Sequence, residues 1–268
     1  PNLGHLVRPS DGKDPHSIAW LQCIGSRDTR DGRNPYCSRV CCMYAIKQAR
    51  QYKEKHPDAD CYIFYMDIRA FGKGYEEFYE SAAHQYGIKF MRGRLAEIQE
   101  NLDKSLLLRA EDTLLGRPIN LSVDMVVLSV GVQPKQDSDK VAALLAIQKS
   151  SDGFFLEAHP KLRPVDALTD GIFIAGVAQS PKDIPDAVSQ AKGAAAGAAI
   201  LMAQGEMQVD PYFSIVQPAL CAGCRSCISQ CPFGAISFDE ILQIAHINPI
   251  KCKGCGTCAS TCPSNAIL

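Results

Sequence analysis

The run "CAGCRSCISQCPFGAI", beginning at Cys221, returns as "CKGCGTCASTCPSNAI", beginning at Cys252. An offset of 31 residues (221 to 252) superimposes four cysteines per run, Gly223 on Gly254, Pro232 on Pro263 and Ala235-Ile236 on Ala266-Ile267. This repeat restricts the chain more than any other feature, because eight thiols at fixed spacing must be satisfied together. Thirteen cysteines occur in all, four at 23–42, one at 61 and eight at 221–262. An odd count without a secretion signal disfavours a disulfide framework, so metal ligation is the expected use.

The doubled spacing C-x-x-C-x-x-C-x-x-x-C-P is the signature of bacterial two-cluster ferredoxins, in which the fourth cysteine of each run serves the other cluster. Three closely spaced thiolates on a tight loop hold three corners of a cubane, and the pseudo-symmetric partner supplies the fourth. Cys221, Cys224, Cys227 and Cys262 are therefore expected to hold one 4Fe-4S cluster, and Cys252, Cys255, Cys258 and Cys231 a second. Gly223, Gly254 and Gly256 would let backbone amides approach the sulfides. Zinc knuckles would instead use C-x-x-C pairs.

The rest of the composition is that of an ordinary globular chain, 46% hydrophobic and 21% charged with a formal charge of -1. No basic excess points to nucleic acid or anionic lipid. No apolar run approaches the roughly 20 residues a membrane span requires. "PNLGHLVRPSDGKD" lacks the apolar segment of a signal peptide, so a cytoplasmic location is expected.

Upstream of a linker around 209–218, strands and helices alternate. "SIAWLQC", "CYIFYMD", "IKFM", "DMVVLSVGVQP" and "GIFIAGVA" read as strands, and "CCMYAIKQARQY", "GYEEFYESAAHQYG" and "IPDAVSQAKGAAAGAAILMAQG" as helices. "RLAEIQE", "SLLLRAE" and "INLSV" are spaced like a hairpin meander. The alternation implies an α/β fold with a parallel sheet. The turn after the first strand is where a dinucleotide-binding unit carries G-x-G-x-x-G. Here "CIGSRDTRDGRNPYCSRVC" stands in its place, far longer and without that motif. Cys23, Cys37, Cys41 and Cys42 could be packing thiols, a redox pair or ligands. Adjacent Cys41 and Cys42 point in different directions and no C-x-x-C is present, so a third cluster accounts best for all four.

"WLQCIGSRDTRDGRNPYCSRVCCMYAIKQA" closely resembles the A-type polypeptide of heterodisulfide reductase, as do "YMDIRAFGKGYEEFY", "FMRGRLAEI", "GVAQSPKDIPDAVSQAK" and the ferredoxin tail. The resemblance spans essentially the whole chain. It implies a partial thioredoxin-reductase-like flavoprotein core of two dinucleotide-binding domains, followed by a C-terminal α+β bacterial-type ferredoxin domain. Residues 1–122 would be the inserted module with a cluster on Cys23, Cys37, Cys41 and Cys42. Residues 123–207 would be the C-terminal part of the FAD-binding domain, and 208–268 the two-cluster ferredoxin domain. Lys47 would face the flavin and donate to N5. Gly131 would let the chain pass close to FAD and Pro134 close that turn. Gly176-Val177 replaces the superfamily's usual Gly-Asp, leaving only a backbone amide for the ribityl chain. Ile184, Pro185 and Asp186 open a helix whose amides would meet an isoalloxazine carbonyl.

The dinucleotide loop of an FAD domain is absent before Ser17. A longer form of the chain or a second polypeptide would supply this missing FAD half-site. The function implied is electron transfer between FAD and three 4Fe-4S clusters, with flavin-based bifurcation. The implied partners are the B and C subunits of heterodisulfide reductase and a donor module such as a hydrogenase or formate dehydrogenase, with the chain forming a homodimer. An NAD(P)H-dependent disulfide reductase of thioredoxin-reductase type, or a simple polyferredoxin-like carrier, is the alternative.

Overall fold

The computed structural model describes residues 6–208 and 211–268. Val209 and Asp210 of the expected linker, and residues 1–5 of the stretch read for a signal peptide, lie outside the described residues. The chain divides into two compact units, 1–133 and 134–268.

In the first unit, β1 (Ser17–Ile24), β2 (Asp60–Tyr65), β3 (Lys89–Arg92) and β7 (Met125–Val130) form a sheet of order β3-β2-β1-β7. All three pairings are parallel. α1 (Cys41–Lys55) and α2 (Tyr75–His84) supply the crossovers, and β4 (Leu95–Glu100), β5 (Leu106–Asp112) and β6 (Arg117–Val123) form the antiparallel meander. β1 is apolar on both faces because both are covered. Ile18 and Trp20 pack with Ala45, Ile46 and Ala49 of α1, whereas Ala19 and Leu21 pack with Leu108, Ala110 and Val123 of the meander. Burying each of the larger side chains contributes about 1.5–3 kcal/mol. The Asp124 carboxylate accepts from the backbone N–H groups of His16 (2.8 Å) and Ser17 (2.9 Å), which fixes the register of β7 on β1.

The strand expected to open the 123–207 segment is thus the edge strand of the first unit's sheet. Its ladder with β1, from Ile18↔Met125 to Leu21↔Leu128, is the physical reason.

The second unit contains α3 (Ser138–Leu145), β8 (Glu157–His159), β9 (Arg163–Ala167) and α4 (Ile184–Gln204) before the cysteine-rich tail. α4 begins as its sequence predicts, with the Asp183 carboxylate accepting from the Asp186 N–H and proline in the first turn, and ends at Gly205. "GIFIAGVA" departs from its expectation. It makes only a bridge from Phe173 to Asp166, and Gly176–Ala178 turn as a 3-10 helix. A strand needs a ladder partner, and β9 engages this run through one bridge, closed by the bonds from Ala167 N–H to Ile172 O and from Ile174 N–H to Val165 O at 2.9 and 2.7 Å. Along α4 the Phe173 ring lies against Gly197 and the Val165 side chain near Gly193. Only Ala194 is buried along it, while Ile184 and Met202 are 80% and 75% exposed.

In the tail, α5 (Ser226–Gln230) and α6 (Thr257–Ser260) flank the hairpin of β10 (Ile236–Asp239) and β11 (Ile244–Ile247). Ile236, Ala245, Ile247 and Ile267 form its small core with Cys227 and Cys258. Reciprocal bonds between Ile215 and Leu268, both 2.9 Å, close its two ends together. Among the described residues no helix is long and apolar enough to cross a membrane.

Candidate iron–sulfur sites

The tail holds two cavities. One is lined by Cys231, Cys252, Cys255 and Cys258, the other by Cys221, Cys224, Cys227 and Cys262. These are the two sets expected from the repeat, including the exchange of the fourth cysteine. The thiols line cavities and do not converge on a single ion, since no cluster of His, Cys, Asp or Glu among the described residues surrounds one metal-ion position. Backbone N–H groups already face the sulfurs. Ala235 donates to Cys231 Sγ at 3.4 Å, its repeat partner Ala266 to Cys262 Sγ at 3.3 Å, and Ser214 to Cys252 Sγ at 3.4 Å. Such bonds suit thiolates carrying an anionic cluster, and they tune its potential. Hydrogen bonds from Ser226, Thr257 and Ser264 hold the Cys224, Cys255 and Cys262 thiols below their ordinary range, whereas burial pushes Cys227 up.

Gly254 has φ +61°, and a Cβ there would lie 2.8 Å from the Tyr212 carbonyl oxygen. The close crossing of two backbones, between Cys252 and Cys255, requires glycine. Gly254→Ala is expected to lower bound iron by about 4 per chain, measured by iron assay beside a thermal melt.

In the first unit the loop 25–40 leaves the C-terminal edge of the sheet at β1, where the chain order reverses between β2 and β7. Ligands of open α/β sheets bind at such an edge. The β1–β7 register shifts between Leu21 and Ile24, and Cys23 sits in that irregularity with φ +61°. A bulge of this kind re-aims a side chain and strains the backbone, which is characteristic of functional positions. Cys41 and Cys42 occupy the first turn of α1, 1% and 4% exposed. That helix has no side-chain cap and no acidic residue in its first turn, which leaves its positive end for an anionic group. The four thiols act on one another electrostatically, Cys42, Cys23 and Cys37 all raising Cys41. As free thiols, Cys41 donates to Cys42, holding Cys42 down at about 7 and pushing Cys41 up. Burial raises Cys23. The Arg39 N–H donates to Cys37 Sγ at 3.3 Å. Both amide atoms of buried Gln22 and the hydroxyl of buried Ser26 have no partner among the described residues. Buried polar groups call for a partner, and these flank Cys23 in sequence. This donor set fits an iron–sulfur cluster.

The residues proposed for flavin divide between the two units. Lys47 lies on the exposed side of α1. A Cβ on Gly131 would stand 3.0 Å from both Gly25 O and Ser38 Oγ. Pro134, Gly176, Val177, Ile184, Pro185 and Asp186 belong to the second unit. There the Gly176 N–H donates to Gln190 Oε1 at 2.7 Å, and Asp183 accepts from the amides of both Asp186 and Ala187. Pro185 has no N–H, so the first-turn amide left to offer is that of Ile184.

Two residues of this site carry no motif in the sequence. Asp67, by sequence a plain strand terminus, accepts two bonds from Arg27 at 2.6 and 2.9 Å and one from Arg69 at 3.3 Å. Arg27 and Asp67 follow neighbouring parallel strands, and that shared edge is the signal that could have paired them.

The loop bonds to itself, with Arg27 N–H to Tyr36 O at 2.9 Å and Asp28 N–H to Asn34 O at 3.0 Å. It occupies the place a pyrophosphate needs above a parallel sheet. NADPH titration is therefore expected to give no saturable binding here. Micromolar binding abolished by mutating the turn would contradict this.

The tail, over residues 220–266, matches the family described as 4Fe-4S dicluster domain. The chain is 56% identical over 240 residues to the A-type polypeptide of H(2):CoB-CoM heterodisulfide,ferredoxin reductase from Methanothermobacter thermautotrophicus, covering 90% of this chain and 36% of the relative. It is 52% identical over 241 residues to the iron-sulfur A-type polypeptide of CoB--CoM heterodisulfide reductase from Methanocaldococcus jannaschii, with the same coverages. The chain thus spans about a third of the length of these relatives. Among solved structures, Lactococcus lactis thioredoxin reductase aligns with 70% of this chain and 53% of its own, at 17% identity and a TM-score of 0.46. Over nine-tenths of its length, the chain belongs to the A-type family of heterodisulfide reductase polypeptides.

Proposed function

We propose that this chain is an electron-transfer portion of a heterodisulfide-reductase-type complex, holding three 4Fe-4S clusters and contributing one half of an FAD site. The observation that carries the reading is the arrangement of twelve thiols in three groups of four, two lining cavities of the tail and one at the reversal point of the parallel sheet. Clusters carry single electrons and FAD exchanges one or two, which is the chemistry a bifurcating flavoprotein needs. The cysteines hold the metal, the amides facing them stabilise the reduced charge, and the low-polarity cores behind them exclude water. The segments 1–122, 123–207 and 208–268 would be the inserted module, the FAD-domain portion and the ferredoxin domain, in a cytoplasmic homodimer.

FAD would meet Gly131, Pro134, Gly176, Val177, the helix start Ile184–Asp186 and Lys47 once a G-x-G-x-x-G polypeptide supplies the pyrophosphate loop. The lone β-bridge of the "GIFIAGVA" run and the exposed apolar side chains of α4 support such a completing segment. Proposed partners are B- and C-type subunits that reduce a disulfide. A hydrogenase or formate dehydrogenase module is the proposed donor, in keeping with relatives named for H(2) and formate. Anaerobic reductive titration should consume about three electrons per chain before flavin is added. Uptake of about two would leave a simple two-cluster carrier.

A further inference from the structure

We propose that Arg27, gripped by Asp67, is a positioning residue that sets the reduction potential of the cluster held by Cys23, Cys37, Cys41 and Cys42. The inference rests on the inserted-cluster reading. Arg27 is fixed at both ends. Its backbone takes φ +54°, costly for a residue with a side chain, and its N–H is tied to Tyr36 O. Its guanidinium makes a two-bond fork to the Asp67 carboxylate at 2.6 and 2.9 Å and is about one-fifth exposed. Arg27 stands four residues after Cys23, just past the turn closed by the bond from Ser26 N–H to Cys23 O at 3.3 Å. Asp67 lies against the opposite ligand, its backbone oxygen accepting from Cys42 Sγ at 3.9 Å. Arg69 adds a second cation on Asp67.

A cluster gains negative charge on reduction, so a permanent cation at a ligand sulfur favours the reduced form, and a carboxylate behind that cation moderates it. A loop staple would use the same ion pair, but only an electrostatic role assigns opposite signs to its two halves. Arg27→Gln keeps hydrogen-bonding atoms and removes the charge. It should shift the reduction equilibrium of one cluster about tenfold toward the oxidised form, which for a one-electron couple is about 59 mV lower. Asp67→Asn should move the same cluster the other way.

The test is an EPR-monitored redox titration of the whole chain, with the two tail clusters as internal references. Opposite shifts confined to one cluster, at unchanged iron content, support the proposal. Unmoved potentials overturn it, as do shifts of the same sign in both variants. If Arg27→Gln empties the site, Asp67→Asn decides alone, and an unmoved or lowered potential overturns the proposal. A wild-type chain with no third cluster to titrate would be a failure of the inserted-cluster reading itself, recognisable before any variant is made.

Discussion

Replacing Cys42 by serine is expected to remove one cluster and spare two, taking bound iron from about 12 to about 8 per chain. The substituted atom is buried at the uncapped start of α1, among three other thiols, and serine is a poor thiolate substitute. Helix α1 should persist, because Ala45, Ile46 and Ala49 anchor it to β1 independently of the ligands. Far-UV circular dichroism and the two tail-cluster EPR signals should therefore be unchanged. Cys61→Ser provides the contrast. Cys61 is 1% exposed in the core of β2, where burial pushes its thiol up to about 11. Burying an uncompensated hydroxyl there should cost about 1–3 kcal/mol of stability while leaving iron content intact. Equal iron in the Cys42→Ser variant and wild type would remove Cys42 from the ligand set.

The chain alone is expected to hold FAD poorly, and to hold it well when joined to a polypeptide carrying G-x-G-x-x-G. Around α4 most first-turn amides are already committed to Asp183, and the Gly176 amide to Gln190. A flavin here gains few direct bonds and no phosphate site. Several charge-assisted bonds, each about 1.5–3 kcal/mol, are missing. At about 1.4 kcal/mol per tenfold in affinity, the deficit amounts to several orders of magnitude. Equilibrium dialysis against FAD, with and without the completing polypeptide, measures it directly. In the joined form Lys47→Ala should shift the flavin potential at constant iron. Stoichiometric, tightly held FAD on the isolated chain would show that its own residues supply the pyrophosphate site.

How far the sequence could be read follows from where each signal resides. β1, α1, β2 and the meander were legible because their apolar periods answer to a core inside this chain. "GIFIAGVA" carries the same apolar signal but makes one bridge, since a strand's partner is not written in the strand. α3 was missed, as it spans only eight residues and buries only Ser138. The tail cysteines announced their grouping through spacing alone, and the cavities are lined accordingly. Cys23 was singled out, but not the bulge and positive φ that aim it, because a one-residue register shift leaves no compositional trace. Asp67 and Arg27 stand forty positions apart and meet only through the parallel neighbourhood of β1 and β2. Gly131 resembles a flavin glycine, and its backbone also passes against Gly25 and Ser38 of the cysteine loop, which no motif announces.

Three four-thiol sites are the central claim, and counting metal tests it without reference to any partner or substrate. Iron and acid-labile sulfide, assayed on the anaerobically prepared chain, should each come to about 12 per chain. A reproducible value of about 8, with only the two tail clusters seen by EPR, would contradict the account at Cys23, Cys37, Cys41 and Cys42.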